Sequence, residues 1–307
     1  SFPTRRSSDL VGLGVGETAV GLDFRPRNGA LYTLTRDTAG TGRLYTVDPG
    51  SGMATTVGLT GPEIQLGDSS DLDFNPVAVG GVNALRILTS TGANYRLVFT
   101  ESGATVNVDG PVNVPGGAAG TNVIATAYTR NVAGLPGGGG AGGTAQYALD
   151  SATATLYRVN PPNDGTLIEG RALPFAIGGT GGMDIVTGLD RALAVLEVGG
   201  ARGLYEINLA TGATGLVRPL PGNVVDLAAP MPVTLTEIKP ATGGATIAWS
   251  GGVGPFSVKR AERVNDPTCG FATVTGRSLN VTTDGQAGFF RVADLAATPS
   301  VRLTVSL

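Results

Sequence analysis

Four times along the chain, a short apolar run, an Ala-x-x-x-Leu segment and a Tyr-x-aliphatic segment follow one another in that order. ALYTL (30–34), ALRIL (84–88), AQYAL (145–149) and ALAVL (192–196) carry the middle motif. VGLDFRP from Val20, DLDFNP from Asp71, IATAYTRN from Ile124 and GMDIVTG from Gly182 precede them. Tyr45-Thr46-Val47, Tyr95-Arg96-Leu97, Tyr157-Arg158-Val159 and Tyr205-Glu206-Ile207 follow. A turn-rich stretch closes each unit: DPGSGMATTVG, TESGATV, PPNDGTLIEG and NLATGATGLV. The four tyrosines are spaced by 50, 62 and 48 residues, and the long interval holds the glycine-rich insertion GLPGGGGAGG at 134–143, which reads as a flexible hairpin loop. Four short strands repeating at this interval are the pattern of propeller blades. The chain therefore reads as all-β, a β-propeller of about five blades of which four are recognisable.

Local chemistry agrees with that reading. In VGLDFRP, alternation puts Val20, Leu22 and Phe24 on one face and Gly21, Asp23 and Arg25 on the other. The alanine heading each second strand is small, as a position pressed against a neighbouring blade should be. The recurrent tyrosine offers a large apolar body with a hydroxyl that can find a partner near the surface. Asn28-Gly29 predicts a type I′ hairpin, whose two central residues both need φ > 0. With 49 Gly and 19 Pro, helix is disfavoured along most of the chain. A lone blade leaves both faces wet; blades stacked in a ring bury them.

The ends of the repeat are incomplete. NVVDLAA (223–229) looks like a fifth first strand, while VGLGVGETAV (11–20) reads as the tail of a fourth strand. A five-bladed ring whose closing blade is truncated accounts for both. Ser1 to Leu10, SFPTRRSSDL, reads as a non-native sequence artefact that stands in place of a native beginning and any signal peptide. The propeller-like domain is then 11–229, and the proline-bearing AAPMP (228–232) is the linker. Residues 233–307 lack the blade pattern. Their strands, with Trp249 on an early one and FSVKR (256–260) on the next, are similar to a fibronectin type III-like β-sandwich, with Trp249 in its core.

Composition excludes several functions. The chain has no His, so Ser-His-Asp and Cys-His catalysis are impossible, as are the usual His-containing zinc sites. The single Cys269 forms no intrachain disulfide and reads as a small buried hydrophobe. A formal net charge of −3 without a basic stripe removes the electrostatic footprint of nucleic-acid binding. No apolar run approaches the roughly 20 residues of a membrane helix.

VGLDFRPRNGALYTL, GRLYTVDPGSG, LDFNP, NPPNDGTL and LYEINLATGAT together resemble the bacterial domain of unknown function 4394 family. The resemblance spans roughly Val11 to Pro221, and NPPNDGTL (160–167) is its most specific piece. It implies a secreted, propeller-like protein, and it carries over no catalytic or binding residue.

Asp23, Asp73, Asp184 and Asp226 take the same place in four innermost strands, with Ala127 in the third unit. One reading is a ring of carboxylates at a central channel, binding a cation such as calcium or a polar ligand. The other is that each caps backbone N–H groups or pairs with a neighbour such as Arg25. The second is favoured, and no cofactor is expected. DSSDLD (68–73) lacks the ligand spacing of an EF-hand and reads as a solvated turn. NPPNDGTL reads as turn chemistry. GLGVG (12–16) lacks the Lys and helix of a phosphate loop. The expectation is a secreted or cell-surface, non-enzymatic binding or scaffold protein, a monomer with an unknown extracellular ligand or protein partner. A carboxylate- and metal-dependent hydrolase or lyase, and a carbohydrate-binding module, are the rivals.

Overall fold

A computed structural model describes residues 10–77, 84–116, 122–130, 143–186, 191–229, 233–242, 244–252, 254–261, 269–276, 278–282, 289–294 and 302–306. The glycine-rich insertion, except Gly143, and the segment Ser1 to Asp9 lie outside the described residues, as does the Cys269 side chain. The protein is all-β, built of several separate sheets, and divides into two compact units at Ala229/Pro230.

Each repeat of the sequence becomes one antiparallel sheet whose strands lie in chain order. The first holds β1 (Thr18–Phe24), β2 (Leu31–Arg36), β3 (Thr41–Val47) and β4 (Ala54–Thr56). Two short strands follow, β5 (Leu59–Thr60) and β6 (Ile64–Gln65). The second sheet holds β7 (Ser70–Phe74), β8 (Ala84–Thr89), β9 (Asn94–Phe99) and β10 (Ala104–Val108). β11 (Val123–Tyr128), β12 (Gln146–Asp150), β13 (Thr155–Val159) and β14 (Leu167–Ala172) form the third. β15 (Gly182–Ile185), β16 (Arg191–Val198), β17 (Ala201–Asn208) and β18 (Thr214–Pro219) form the fourth. β6 adds to the first sheet beside β3, and β5 runs parallel to β10 at the edge of the second.

Burial follows strand rank. Every residue of β7, β11 and β15 is buried, whereas all but the first residue of β18, a fourth strand, are exposed. First strands pack together: β1 lies against β7, β7 against β11, and β11 against β15. Between the sheets lie two large apolar clusters. Tyr32, Phe74 and Phe99 fill one, with ring centroids 5.0–5.5 Å apart. Ile124, Leu149, Met183 and Leu196 belong to the other. Burying a side chain of this size contributes roughly 1.5–3 kcal/mol, which makes the sheet-to-sheet faces the main source of cohesion.

Two local expectations need correction, and a third gains a role. At Asn28-Gly29 only Gly29 has positive φ, +63°, and the Arg25 carbonyl accepts from the N–H of both Asn28 and Gly29. The turn is longer than type I′, because Pro26 fits the right-handed conformation that begins a type I turn. Residues 18–20 of the stretch read as the tail of a fourth strand open β1 instead, and Val11 bridges Met53 beside β4. NPPNDGTL is a turn with a docking role. Asn163 and Gly165 reach the second sheet, where Gly110 N–H donates to the Asn163 carbonyl and Asn113 N–H to that of Gly165.

The second unit holds two antiparallel sheets. One is β19 (Thr234–Ala241), β20 (Gly244–Ser250) and β23 (Ser278–Thr282); the other is β22 (Cys269–Val274), β21 (Phe256–Ala261), β24 (Phe289–Asp294) and β25 (Arg302–Ser306). Trp249 lies in its core, edge-on to Phe256 at 5.5 Å, among Ile247, Val258, Val281 and Val292.

Candidate functional site

Strand alternation decides which side chains meet where the first strands converge. On β7, positions 71 and 73 share a face, so both aspartates point the same way. Both are 1% exposed. Asp23, Asp184 and Asp226 are buried beside them. The solvated turn expected at DSSDLD is therefore restricted to its start, where the Asp68 side chain is 97% exposed.

The five carboxylates occupy two levels. Asp23, Asp73 and Asp184 lie together, with one oxygen from each within 4.8 Å of the others. Asp226 does not join them, contrary to its expected alignment. It meets the carboxyl of Asp71 and accepts from the N–H of Leu22, one residue ahead of Asp23. Its segment, 223–229, is not a regular strand, so register counted from the sequence slips by a dipeptide step. Small residues make room for this second level. A Cβ on Gly182 would overlap Oδ1 of Asp226, and one on Gly21 would stand 3.3 Å from Oδ1 of Asp71.

One bonding pattern recurs. Asp23 takes its own following N–H, that of Phe24, at 2.6 Å on Oδ1 and the Phe74 N–H of β7 at 2.8 Å on Oδ2. Asp71 takes Leu72 and Thr126, both at 2.8 Å, and so joins β7 to β11. Asp226 takes Leu227 and Leu22, both at 2.7 Å. Asp184 accepts the Ala229 N–H at 2.6 Å. A strand at the edge of its sheet has N–H groups that its own sheet cannot reach, and each aspartate supplies the missing acceptor. Asp73 differs. The Tyr128 N–H faces its carboxylate, but its Oδ1 is buried without a hydrogen bond.

Burial raises all five carboxyls above the usual range. Asp184 rises to about 6 and Asp226 to about 8. Asp23, Asp71 and Asp73 rise well above it, each pushed further by a neighbouring aspartate: Asp184, Asp226 and Asp23 respectively. Backbone donors oppose the rise in every case. Arg25 does not pair with them. Its guanidinium stands 4.1 Å from the Phe99 ring centroid, a cation–π contact.

Sequence reasoning missed two further features. Arg86 is buried and donates to Asn94 at 2.9 Å, Asp109 at 2.7 Å and Asn163 at 2.7 Å, clipping the 160–167 turn to the second sheet. A cavity of about 310 Å³ is lined by Thr18, Arg36, Ser69, Ser70, Thr180 and Val225, among others. Ser70 and Val225 directly precede Asp71 and Asp226, so the cavity lies at the second level's end of the converging strands. Asp68, Ser69 and Ser70, the polar head of DSSDLD, line it and were the available signal.

These features define an all-β protein of repeated four- and five-stranded sheets, in which aspartates bridge the first strand of the first sheet to that of the second and that of the second to that of the third. Residues 2–228 match the model of the domain of unknown function DUF4394, and the chain belongs to that family. No curated protein matches it. Among solved structures it is similar to a protein of unknown function from Bacteroides caccae, 12% identical over 78% of this chain and 73% of that one, with a TM-score of 0.35. A protein from Lactobacillus plantarum is 11% identical over 96% and 85%, with a TM-score of 0.37. Kuenenia stuttgartiensis hydrazine synthase is 10% identical over 94% of this chain and 66% of that one, with a TM-score of 0.35. Among the described residues no helix is long and apolar enough to cross a membrane.

Proposed function

We propose that the first unit is a propeller-like ring of five positions, four sheets and the segment 223–229, and that it serves as a secreted, non-enzymatic binding scaffold. The order of the aspartate bonds supports the ring. They run from β1 to β7 and from β7 to β11, then from β15 to Ala229 and from Asp226 back to Leu22 on β1. β11 packs against β15 between the two runs. The second unit's strand order, a three-stranded sheet beside a four-stranded one, supports a fibronectin type III-like spacer.

The single observation that carries a scaffold role is the use of the carboxylate oxygens. Asp23, Asp71 and Asp226 each spend both oxygens on backbone N–H groups, which suits stapling and leaves a general base no access to substrate. Binding is then expected at the cavity, where Arg36 pairs with Asp68 at 3.6 Å yet keeps a buried Nε–H without an acceptor, and the lining hydroxyls and the carboxylates of Asp37 and Asp68 suit a small polar ligand. The test is a thermal-shift screen of the full chain against monosaccharides, amino acids and dicarboxylates. The expected result is a dose-dependent rise in Tm that Arg36→Ala removes. Screens without a hit, or a hit unaffected by Arg36→Ala, contradict the cavity as the binding site.

A further inference from the structure

We propose that Asp23, Asp73 and Asp184 together bind one divalent cation of the calcium class. Their geometry is the first reason. Two oxygens that each sit about 2.4 Å from one ion lie no more than about 4.8 Å apart. The three carboxylates offer oxygens within 4.8 Å of one another. The second reason is independent of that spacing. Asp73 is 1% exposed and its Oδ1 accepts no hydrogen bond, although a buried carboxylate oxygen without a partner is costly. An ion held among the three supplies the missing partner.

The bonds already present leave capacity for it. A carboxylate has about four lone-pair sites. Asp23 uses one on each oxygen, for Phe24 and Phe74, and so retains a free lone pair on both. The donor set selects the ion's class. Three carboxylates without nitrogen or sulfur suit a hard cation such as calcium, magnesium or manganese rather than zinc or copper. Three like charges this close also need a counter-charge, and an ion offsets their repulsion while keeping the backbone bonds that join β1 to β7 and β15 to Ala229. The cation would thus lock the first strands together, a role separate from ligand binding in the cavity.

The experiment uses the full chain, stripped with EDTA and exchanged into chelator-treated buffer. Calcium chloride is titrated calorimetrically and by thermal unfolding, with magnesium and manganese chloride as parallel arms. Expected are one saturable equivalent per chain and a Tm rise of about 5–10 °C at a hundredfold excess over Kd. Asp73→Asn and Asp184→Asn each weaken binding at least tenfold, while Asp68→Asn, exposed and outside the cluster, leaves it unchanged. Stripped wild-type protein that takes up none of the three ions, with Tm unmoved, overturns the proposal and leaves protons to neutralise the cluster. Uptake unchanged in both Asp73→Asn and Asp184→Asn overturns it too, by placing the ion elsewhere. Should one variant fail to fold, the wild-type titration and the other variant still decide.

Discussion

The carboxylate of Asp226 stands between two backbone amides 205 residues apart in sequence, taking Leu227 N–H on one oxygen and Leu22 N–H on the other, each at 2.7 Å. A segment without regular strand structure is thereby fixed to the first strand of the first sheet. Asp23 and Asp71 repeat the same two-handed grip between consecutive sheets. Sheet faces supply the cohesion, and these grips set which first strand lies beside which.

Removing a grip strands two donors. Asp23→Ala leaves the Phe24 and Phe74 N–H groups without their acceptor in a dry site. Each orphan costs about 1–3 kcal/mol, so the variant is expected to lose about 3 kcal/mol in urea unfolding, and Asp23→Asn, which keeps one acceptor oxygen, distinctly less. Equal losses for the two variants contradict the bonding role.

Asp226 makes stability depend on pH. Its carboxyl is raised to about 8 in the folded protein by burial, with Asp184 adding repulsion, while the N–H groups of Leu22 and Leu227 and the Asp71 side chain oppose the rise. A raised carboxyl binds more protons folded than unfolded, so its contribution is complete below the unfolded value near 4 and is lost as pH rises toward about 8. In metal-free buffer, Tm should fall between pH 5 and pH 8, and Asp226→Asn should flatten the fall. A Tm that rises over that interval reverses the sign.

Gly182 is required for space. A Cβ there would overlap Oδ1 of Asp226, whereas one on Gly215 of β18 would meet nothing within 4 Å. Gly182→Ala should therefore cost about 2–3 kcal/mol, and Gly215→Ala should lie within about 0.5 kcal/mol of wild type. Chemical denaturation of the two variants side by side checks the contrast.

The clip at Arg86 joins the second and third sheets. Arg86→Met leaves Asp109 buried beside Arg96 alone and frees Asn163. Breaking a buried ion pair from one side costs about 3–5 kcal/mol when the other charge is left alone, and the remaining Arg96 partner keeps the expected loss below that. Limited proteolysis should then cut within 160–167 before any other described turn; uniform resistance there contradicts a docking role for that turn.

Much of the fold was legible because strand patterning is local. Ala-x-x-x-Leu followed by Tyr-x-aliphatic marks the second and third strands of each sheet, and the turns between them carry Gly, Asn and Asp. The first strands were legible too, as was the shared facing of Asp23, Asp73 and Asp184. What the pattern did not reveal depends on contacts between distant segments. Asp226 sits a dipeptide step from its expected level because its position is set by Leu22 and Gly182, not by a strand ladder. DSSDLD lacks the spacing of a calcium loop and so reads as a solvated turn, but Asp71 is buried because β11 and β15 pack against β7, which no local window contains. Arg86 looked like one more strand residue until the 160–167 turn was placed against it.

Hydrogen exchange at four amides tests the central claim most directly. The N–H groups of Leu22, Phe74, Thr126 and Ala229 are satisfied by aspartates of other segments. Followed by NMR at neutral pH, they should exchange as slowly as the ladder amides of β8 and β12, and Asp226→Ala should release Leu22 while sparing Thr126. Four amides that exchange as fast as those of exposed turns in the folded wild-type protein would mean that the aspartates do not join the sheets.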